Sequence, residues 1–395
     1  MESAGTGTDG ATMATMLDYL GWRGDLTLGQ DPFNEVDSLI LTQVSYLALD
    51  DVVPTAEEGG SITVREAARL YEGRVSAGLV REGAAIIPPA TPEPFYRMAA
   101  SKRFGTARLS RFVNVLDDEA AEQFSAMCVE LDDGTTYVVF RGTDDTFCGW
   151  REDFQMTYSV VGSQRRALTY LEDARRHTHG HLRVGGHSKG GNLAMYAAAT
   201  AGWLTRRRVR EVWVHDGPGF AEGVVPREAL AAIEGRVRRY VPEFCVVGQL
   251  LSQGSRREVV ASASTAVMQH SPVNWQVAGN RFVRVDDIDP RARKFGETCD
   301  RLLEGKDAEF LRRLTEGLFS ALTQGGSSLS DVAAGAPGSY LRIARAYSSL
   351  DPDVREATSE LVGALVNESL SKGLADAGAA VGEALGAIVH PKQQG

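Results

Sequence analysis

Gly186-His187-Ser188-Lys189-Gly190 fits the pattern Gly-x-Ser-x-Gly. The chemistry this spacing allows has a steric basis. A serine on a sharp strand-to-helix turn needs glycines two positions to either side, because side chains there would strike the adjoining strand and helix. Both elements are legible: Leu182-Arg183-Val184-Gly185 reads as a strand, and residues 192–199 are strongly helix-forming. Ser188 is then expected at a helix N-terminus, where the macrodipole and the Lys189 backbone N–H face the oxyanion formed when a carbonyl is attacked.

A serine hydroxyl at its ordinary pKa is a poor nucleophile; it needs a base, and the base needs an acid to orient it. On a strand-turn-helix scaffold the chain order is Ser, then Asp or Glu, then His. Of seven histidines, His215, His270 and His390 follow Ser188. His215 adjoins the candidate acid inside an apolar run and His390 lies in the C-terminal tail, which leaves His270 as the base. Asp216 ends Val212-Trp213-Val214-His215 and precedes Gly217-Pro218-Gly219, a carboxyl-end position where such sheets carry functional groups. Glu243 is the competing acid. A second oxyanion donor is expected after an earlier strand. Val138-Val139-Phe140-Arg141-Gly142-Thr143-Asp144 offers the Thr143 N–H, with Asp144 as its alternative. Arg141 is expected to hold this loop by ion pairing, with Trp150 and Asp153 bracing it. Phe147, Trp150, Phe154 and Trp275 are either acyl-pocket walls or core. Segments 147–161 and 250–266 are candidate lids.

Such groups need a scaffold to meet. Runs 124–131 and 135–140 flank Asp132-Asp133-Gly134, a hairpin turn. Later strands are expected over 182–186, 212–216 and 240–247, with helical sequence between them, which predicts an α/β fold with a mostly parallel sheet covered on both faces. A second hairpin is expected over 273–277 and 281–285. Upstream, a helix over 38–47 takes Asp37 as its cap, and another follows the Pro-rich 87–94, after which the sheet should begin. Beyond Pro290 the composition favours helices. The expected organisation is a tail over 1–15, a body over 16–322, and a linker with a helical extension over 323–395. The second helix of that extension should be rich in small residues over 375–386 and suited to packing or self-association.

The 395 residues carry 42 Lys+Arg against 52 Asp+Glu, a net charge of −10, with 43% hydrophobic residues. That balance fits a folded globular chain and argues against nonspecific binding to nucleic acid. Four dispersed cysteines form no C-x-x-C pair and suggest neither a zinc site nor a disulfide framework. No apolar run is long enough to span a bilayer and no signal sequence is evident, so the expected location is the cytoplasm.

Phe140-Arg141-Gly142-Thr143 followed by Gly186-His187-Ser188-Lys189-Gly190 resembles the class 3 lipases of the α/β-hydrolase superfamily. Over roughly residues 17–277 the chain is more similar to the Mbeg1-like family. Leu17-Asp18-Tyr19-Leu20, Trp22-Arg23-Gly24-Asp25, Pro32-Phe33-Asn34-Glu35-Val36-Asp37, Thr143-Asp144-Asp145-Thr146, Asp216-Gly217-Pro218-Gly219-Phe220 and Gln269-His270 carry that likeness. The resemblance implies an α/β-hydrolase fold with Ser188 as nucleophile and His270 as base. Class 3 lipases place their acid after a later strand, where this chain reads Cys245-Val246-Val247-Gly248 without a carboxylate. The expected activity is hydrolysis of an acyl or lipid-like carboxylic ester through Ser188, Asp216 and His270, with no metal or organic cofactor. The alternative is a noncatalytic scaffold on the same fold.

Overall fold

Asp132, Asp133 and Gly134 turn the chain between two strands, and that hairpin opens the centre of a nine-stranded sheet. The computed structural model describes residues 14–80, 91–117, 119–120, 122–143, 146–156, 158–220, 223–250, 256–303, 306–326 and 337–369. In sheet order the strands are β1 (Ile62–Thr63), β2 (Arg108–Asp117), β3 (Glu122–Glu130), β4 (Thr136–Phe140), β5 (Leu182–His187), β6 (Val209–His215), β7 (Val237–Pro242) and β8 (Glu258–Val260). A separate two-stranded ribbon joins β9 (Val277–Ala278) to β10 (Arg281–Phe282), and β11 (Arg284–Val285) closes the far edge of the main sheet against β8. Pairing is parallel from β4 through β8 and antiparallel at both margins. The expected parallel sheet is therefore its central half. β4 and β5 are buried along their whole length; β4 reads as a nearly continuous apolar run, while β5 carries Arg183 with its guanidinium paired to Asp133 and Glu211.

Side-chain alternation divides the core into two layers. Tyr137, Val139 and Trp213 face α1 (Met16–Arg23), α2 (Glu35–Val44), α3 (Val64–Ser76) and α4 (Glu93–Ala100). Val138, Phe140, Val212 and Val214 face the opposite layer, built chiefly on α6 (Gly162–His177) and α7 (Lys189–Thr200). Between β4 and α6 runs α5 (Phe147–Gln155); α8 (Trp203–Arg208) leads into β6, and α9 (Arg227–Ala231) precedes β7. α10 (Pro290–Leu303) and α11 (Ala308–Leu322) follow the sheet, and helices Pro337–Ser348 and Pro352–Ser369 pack against them.

Several expectations change. The sheet begins before the Pro-rich segment, at β1. Asn34 caps α2: its side chain accepts from Val36 and Asp37 N–H, while Asp37 returns a bond to the Asn34 N–H. Asp37 is thus the third helical residue, not the cap. β7 ends at Pro242, and Val247–Gln249 is a 3₁₀ turn rather than strand. The second hairpin contracts to β9 and β10, because Pro272–Asn274 forms a 3₁₀ turn. Segment 258–260 is a sheet strand, not a lid. The small-residue stretch 375–386 lies outside the described residues.

Candidate active site

Ser188 sits between the end of β5 and the start of α7 at φ 55° and ψ −129°, a left-handed backbone that a residue bearing a Cβ rarely adopts. The flanking glycines make that turn possible. A Cβ on Gly190 would lie 2.1 Å from the Phe140 carbonyl oxygen, and one on Gly186 would lie 2.3 Å from the Gly190 carbonyl carbon. Ser188 N–H donates to the His215 carbonyl at 2.9 Å, locking the turn to the next strand. The residue keeps 8% exposure, and its hydroxyl makes no hydrogen bond to another described residue.

Asp216 follows β6 and is likewise left-handed, at φ 47°. It is fully buried, so both carboxylate oxygens need donors. Oδ2 accepts from His270 Nδ1 at 2.6 Å; Oδ1 accepts from Cys245 Sγ at 3.1 Å and from Gly248 N–H at 3.0 Å. Burial, and then the Asp216 charge, push the Cys245 thiol well above its ordinary pKa, so it stays a protonated donor. The loop after β7 thus supplies two donors to Asp216. Arg239 fastens that loop, donating to the carbonyls of Gly217 at 2.8 Å and Gly248 at 2.6 Å. Burial lowers this guanidinium to about 10, still cationic at neutral pH. Glu243, the competing acid, is exposed and makes no hydrogen bond to His270.

His270 ends a 3₁₀ turn, Ala266–His270, and its loop is braced from two sides. Trp275 Nε1 donates to the Gln269 carbonyl at 2.9 Å, and His187 Nε2 donates to the His270 carbonyl at 2.8 Å. A carbonyl can only accept, so His187 carries its proton on Nε2 and takes a hydrogen bond at Nδ1 from Tyr46, 2.9 Å away. Burial, then the neighbouring His270, hold His187 well below the usual histidine range. Tyr46 also touches the loop after β4, since a Cβ on Gly142 would meet its hydroxyl at 2.1 Å. His215 faces away from the site: its Nε2 bonds Ser38 Oγ at 2.8 Å, and burial lowers it to about 3.

The loop after β4 brings Thr143 toward the elbow. Thr143 Oγ1 donates to Asp153 Oδ2 at 2.5 Å, and the backbone N–H groups of Thr143 and Lys189 have no acceptor among the described residues. Asp144 lies outside the described residues. Arg141 donates to the amide oxygen of Asn114 at 2.6 Å. Beneath the turn, the buried Lys189 ammonium bonds Glu152 at 2.9 Å and Gln123 at 3.0 Å, while Glu152 also accepts from the N–H groups of Gln123 and Ser163. One ion pair thereby joins the elbow to α5, β3 and α6.

Phe147, Trp150 and Phe154 pack with Phe319, Ile343 and Tyr347 in a satellite core between α5 and the C-terminal helices. Trp275 is wholly buried, edge-on to His215 and Phe282. Phe147 and Trp275 are core residues, Trp150 and Phe154 are half-buried against the satellite core, and the α5 part of the first candidate lid is a packed helix. Sequence reasoning missed Tyr46, Gln123, Glu152 and the structural parts of His187 and Cys245. Of these, His187 and Cys245 stood inside motifs already singled out.

The fold is α/β, with a buried Asp216 bonded to a half-buried His270 and a left-handed Ser188 whose N–H is tied to the carbonyl of His215, the residue before Asp216. A family model described as Mbeg1-like matches residues 98–320, more than half of the chain. The chain belongs to the Mbeg1-like family. No curated protein matches it. Among solved structures, the native Rhizomucor miehei lipase propeptide complex is 16% identical; the match covers 53% of this chain and 78% of that one, with a TM-score of 0.32. A likeness that low carries no argument about function.

Proposed function

We propose that the protein is a serine hydrolase of the α/β-hydrolase fold that cleaves a carboxylic ester with an acyl or lipid-like group. His270 Nε2 takes the Ser188 proton as Oγ attacks the carbonyl carbon. Asp216 fixes the ring with Nδ1 protonated and stabilises the imidazolium that forms. The N–H groups of Thr143 and Lys189 receive the oxyanion. Collapse expels the alcohol, which takes the proton from His270, and leaves an acyl-Ser188 ester. Water, deprotonated by His270, then attacks that ester; the acid is released as the departing Ser188 Oγ takes the proton back from His270. The sequence needs no metal or organic cofactor, because nucleophile, base and oxyanion donors all come from the chain.

One observation carries this reading: the 2.6 Å Asp216–His270 bond, together with a Ser188 on a strained turn whose hydroxyl has no hydrogen-bond partner among the described residues. Chromogenic acyl esters of graded length test it. Turnover by the wild type and loss in Ser188→Ala and His270→Ala support it; equal rates in folded wild type and Ser188→Ala would leave the noncatalytic scaffold as the better account.

A further inference from the structure

The chain as a whole is acidic, yet one face concentrates cations without carboxylate partners. It lies at the N-terminal ends of β5, β6 and β7, opposite the ends that carry Ser188 and Asp216. Hydrogen bonds make the cluster continuous. Arg208 donates to the carbonyls of Arg175 at 2.5 Å and Gly180 at 2.7 Å, and Arg236 donates to those of Arg206 at 2.5 Å and Val209 at 2.9 Å. Burial, and then the Arg175 charge, lower Arg208 below its ordinary pKa, a sign of like charges held close. Arg176, Arg207, Arg210 and Arg238, from the same chain segments, are exposed, with Arg238 donating to the Gly235 carbonyl at 3.2 Å. None of the eight forms an ion pair among the described residues.

Nearby carboxylates are mostly engaged elsewhere. Glu172 accepts from Gly202 N–H and Thr205 Oγ1, Asp173 meets Arg111 and His177, and Glu211 pairs with Arg183. Glu234 is exposed and offsets a single charge. From the same face two large apolar side chains stand into solvent, Trp203 at 60% and Leu204 at 52% exposure, with the Arg207 guanidinium 5.4 Å from the Trp203 ring centroid. An indole next to a leucine, with Arg207 against the indole and further exposed arginines in the neighbouring segments, matches the layered chemistry of a bilayer surface: anionic phosphates outside, an acyl boundary beneath.

We propose that this face docks the protein on an anionic phospholipid surface, with Trp203 and Leu204 entering the acyl boundary and the arginines meeting lipid phosphates. Nucleic acid offers the phosphates but no acyl boundary for Leu204, so lipid is the better fit. Docking in this pose turns the Ser188 end of the sheet toward water.

Sedimentation of the full chain with phosphatidylglycerol–phosphatidylcholine vesicles, against phosphatidylcholine alone, tests the surface. Binding is expected only with the anionic lipid and should fade at high salt. Arg207→Glu/Arg210→Glu should weaken it about 25-fold or more, at roughly fivefold per arginine removed. Trp203→Ala/Leu204→Ala should weaken it about tenfold while keeping the salt dependence. Circular dichroism and turnover of a soluble ester should match the wild type in both variants, and vesicle binding is read independently of any activity. Binding indifferent to lipid charge or to these substitutions overturns the proposal. So does absence of vesicle binding, or capture of RNA or DNA alone.

Discussion

Asp37 and Asp216 are both carboxylates without solvent exposure, yet they live in opposite kinds of surroundings. Asp37 is closed on every side: Arg103 Nε and Nη2 grip its two oxygens, Tyr19 Oη donates at 2.8 Å and Asn34 N–H at 3.0 Å. Arg103 turns its other N–H groups to backbone carbonyls, Nη1 to Asp31 at 2.9 Å and Nη2 to Pro32 at 3.3 Å. Burial raises Asp37 above the usual carboxylate range, and Arg103 opposes that rise. Asp216 is saturated too, but one of its partners, His270, is a side chain that can change its proton count. The Ser188 hydroxyl and the N–H groups of Thr143 and Lys189 have no acceptor or donor partner among the described residues. Left-handed backbone also falls at Ser188 and Asp216, whereas Asp37 lies within a regular capped helix. A polar cluster with every valence filled holds structure; one that ends in unfilled donors and strained backbone is poised for a ligand.

Four measurements sharpen or break that contrast. The largest effect is expected for Asp216→Asn, which keeps the packing but removes the charge that orients His270. Ester turnover should fall about 10⁴-fold with unfolding midpoints near wild type. Asp37→Ala should do the reverse, leaving Arg103 buried without its counter-ion and lowering stability by about 3–5 kcal/mol in urea denaturation. A stable Asp37→Ala chain would remove the basis for calling that cluster structural. Next comes pH. Burial holds His187 well below the normal range and His215 at about 3, so the unfolded chain binds protons that the native chain refuses. Stability should therefore fall as pH drops below about 6.5, by up to roughly 1.4 kcal/mol per unit for each histidine, the His215 contribution levelling off near pH 3. Flat denaturant midpoints between roughly pH 7.5 and 5 would show that these rings are not held neutral. The smallest effect is expected at Cys245. Cys245→Ala removes a donor from Asp216 and should slow turnover by about three- to tenfold, while Cys245→Ser restores it.

Legibility followed local chemistry. The strand before Ser188 and the helix after it were readable because glycine spacing, an apolar run and an alanine-rich segment agree. β2 was not: Arg111, at φ 56°, breaks the pairing register between Ser110 and Val113, and the bulge erases the period-two pattern. β7 was misplaced because Arg238 and Arg239 interrupt its apolar run, although the Arg239 guanidinium is buried on two carbonyls. Strands β1, β9, β10 and β11 are two residues each, too short to show any period. At the site, the nominated Asp216 and His270 lie in contact, but the groups that orient them come from distant segments. Tyr46 reaches His187 across 141 positions and Lys189 reaches Glu152 across 37. A single sequence holds no pattern for such pairings; they follow from the sheet order.

In the proposed reaction Ser188 is a nucleophile activated by His270. Incubation of the folded chain with a fluorophosphonate probe, followed by mass spectrometry of the adduct, tests it most directly. The account predicts covalent modification at Ser188 in the wild type, strong slowing in His270→Ala, and none in Ser188→Ala. A folded wild type that takes no label, or is labelled on another residue, would contradict it.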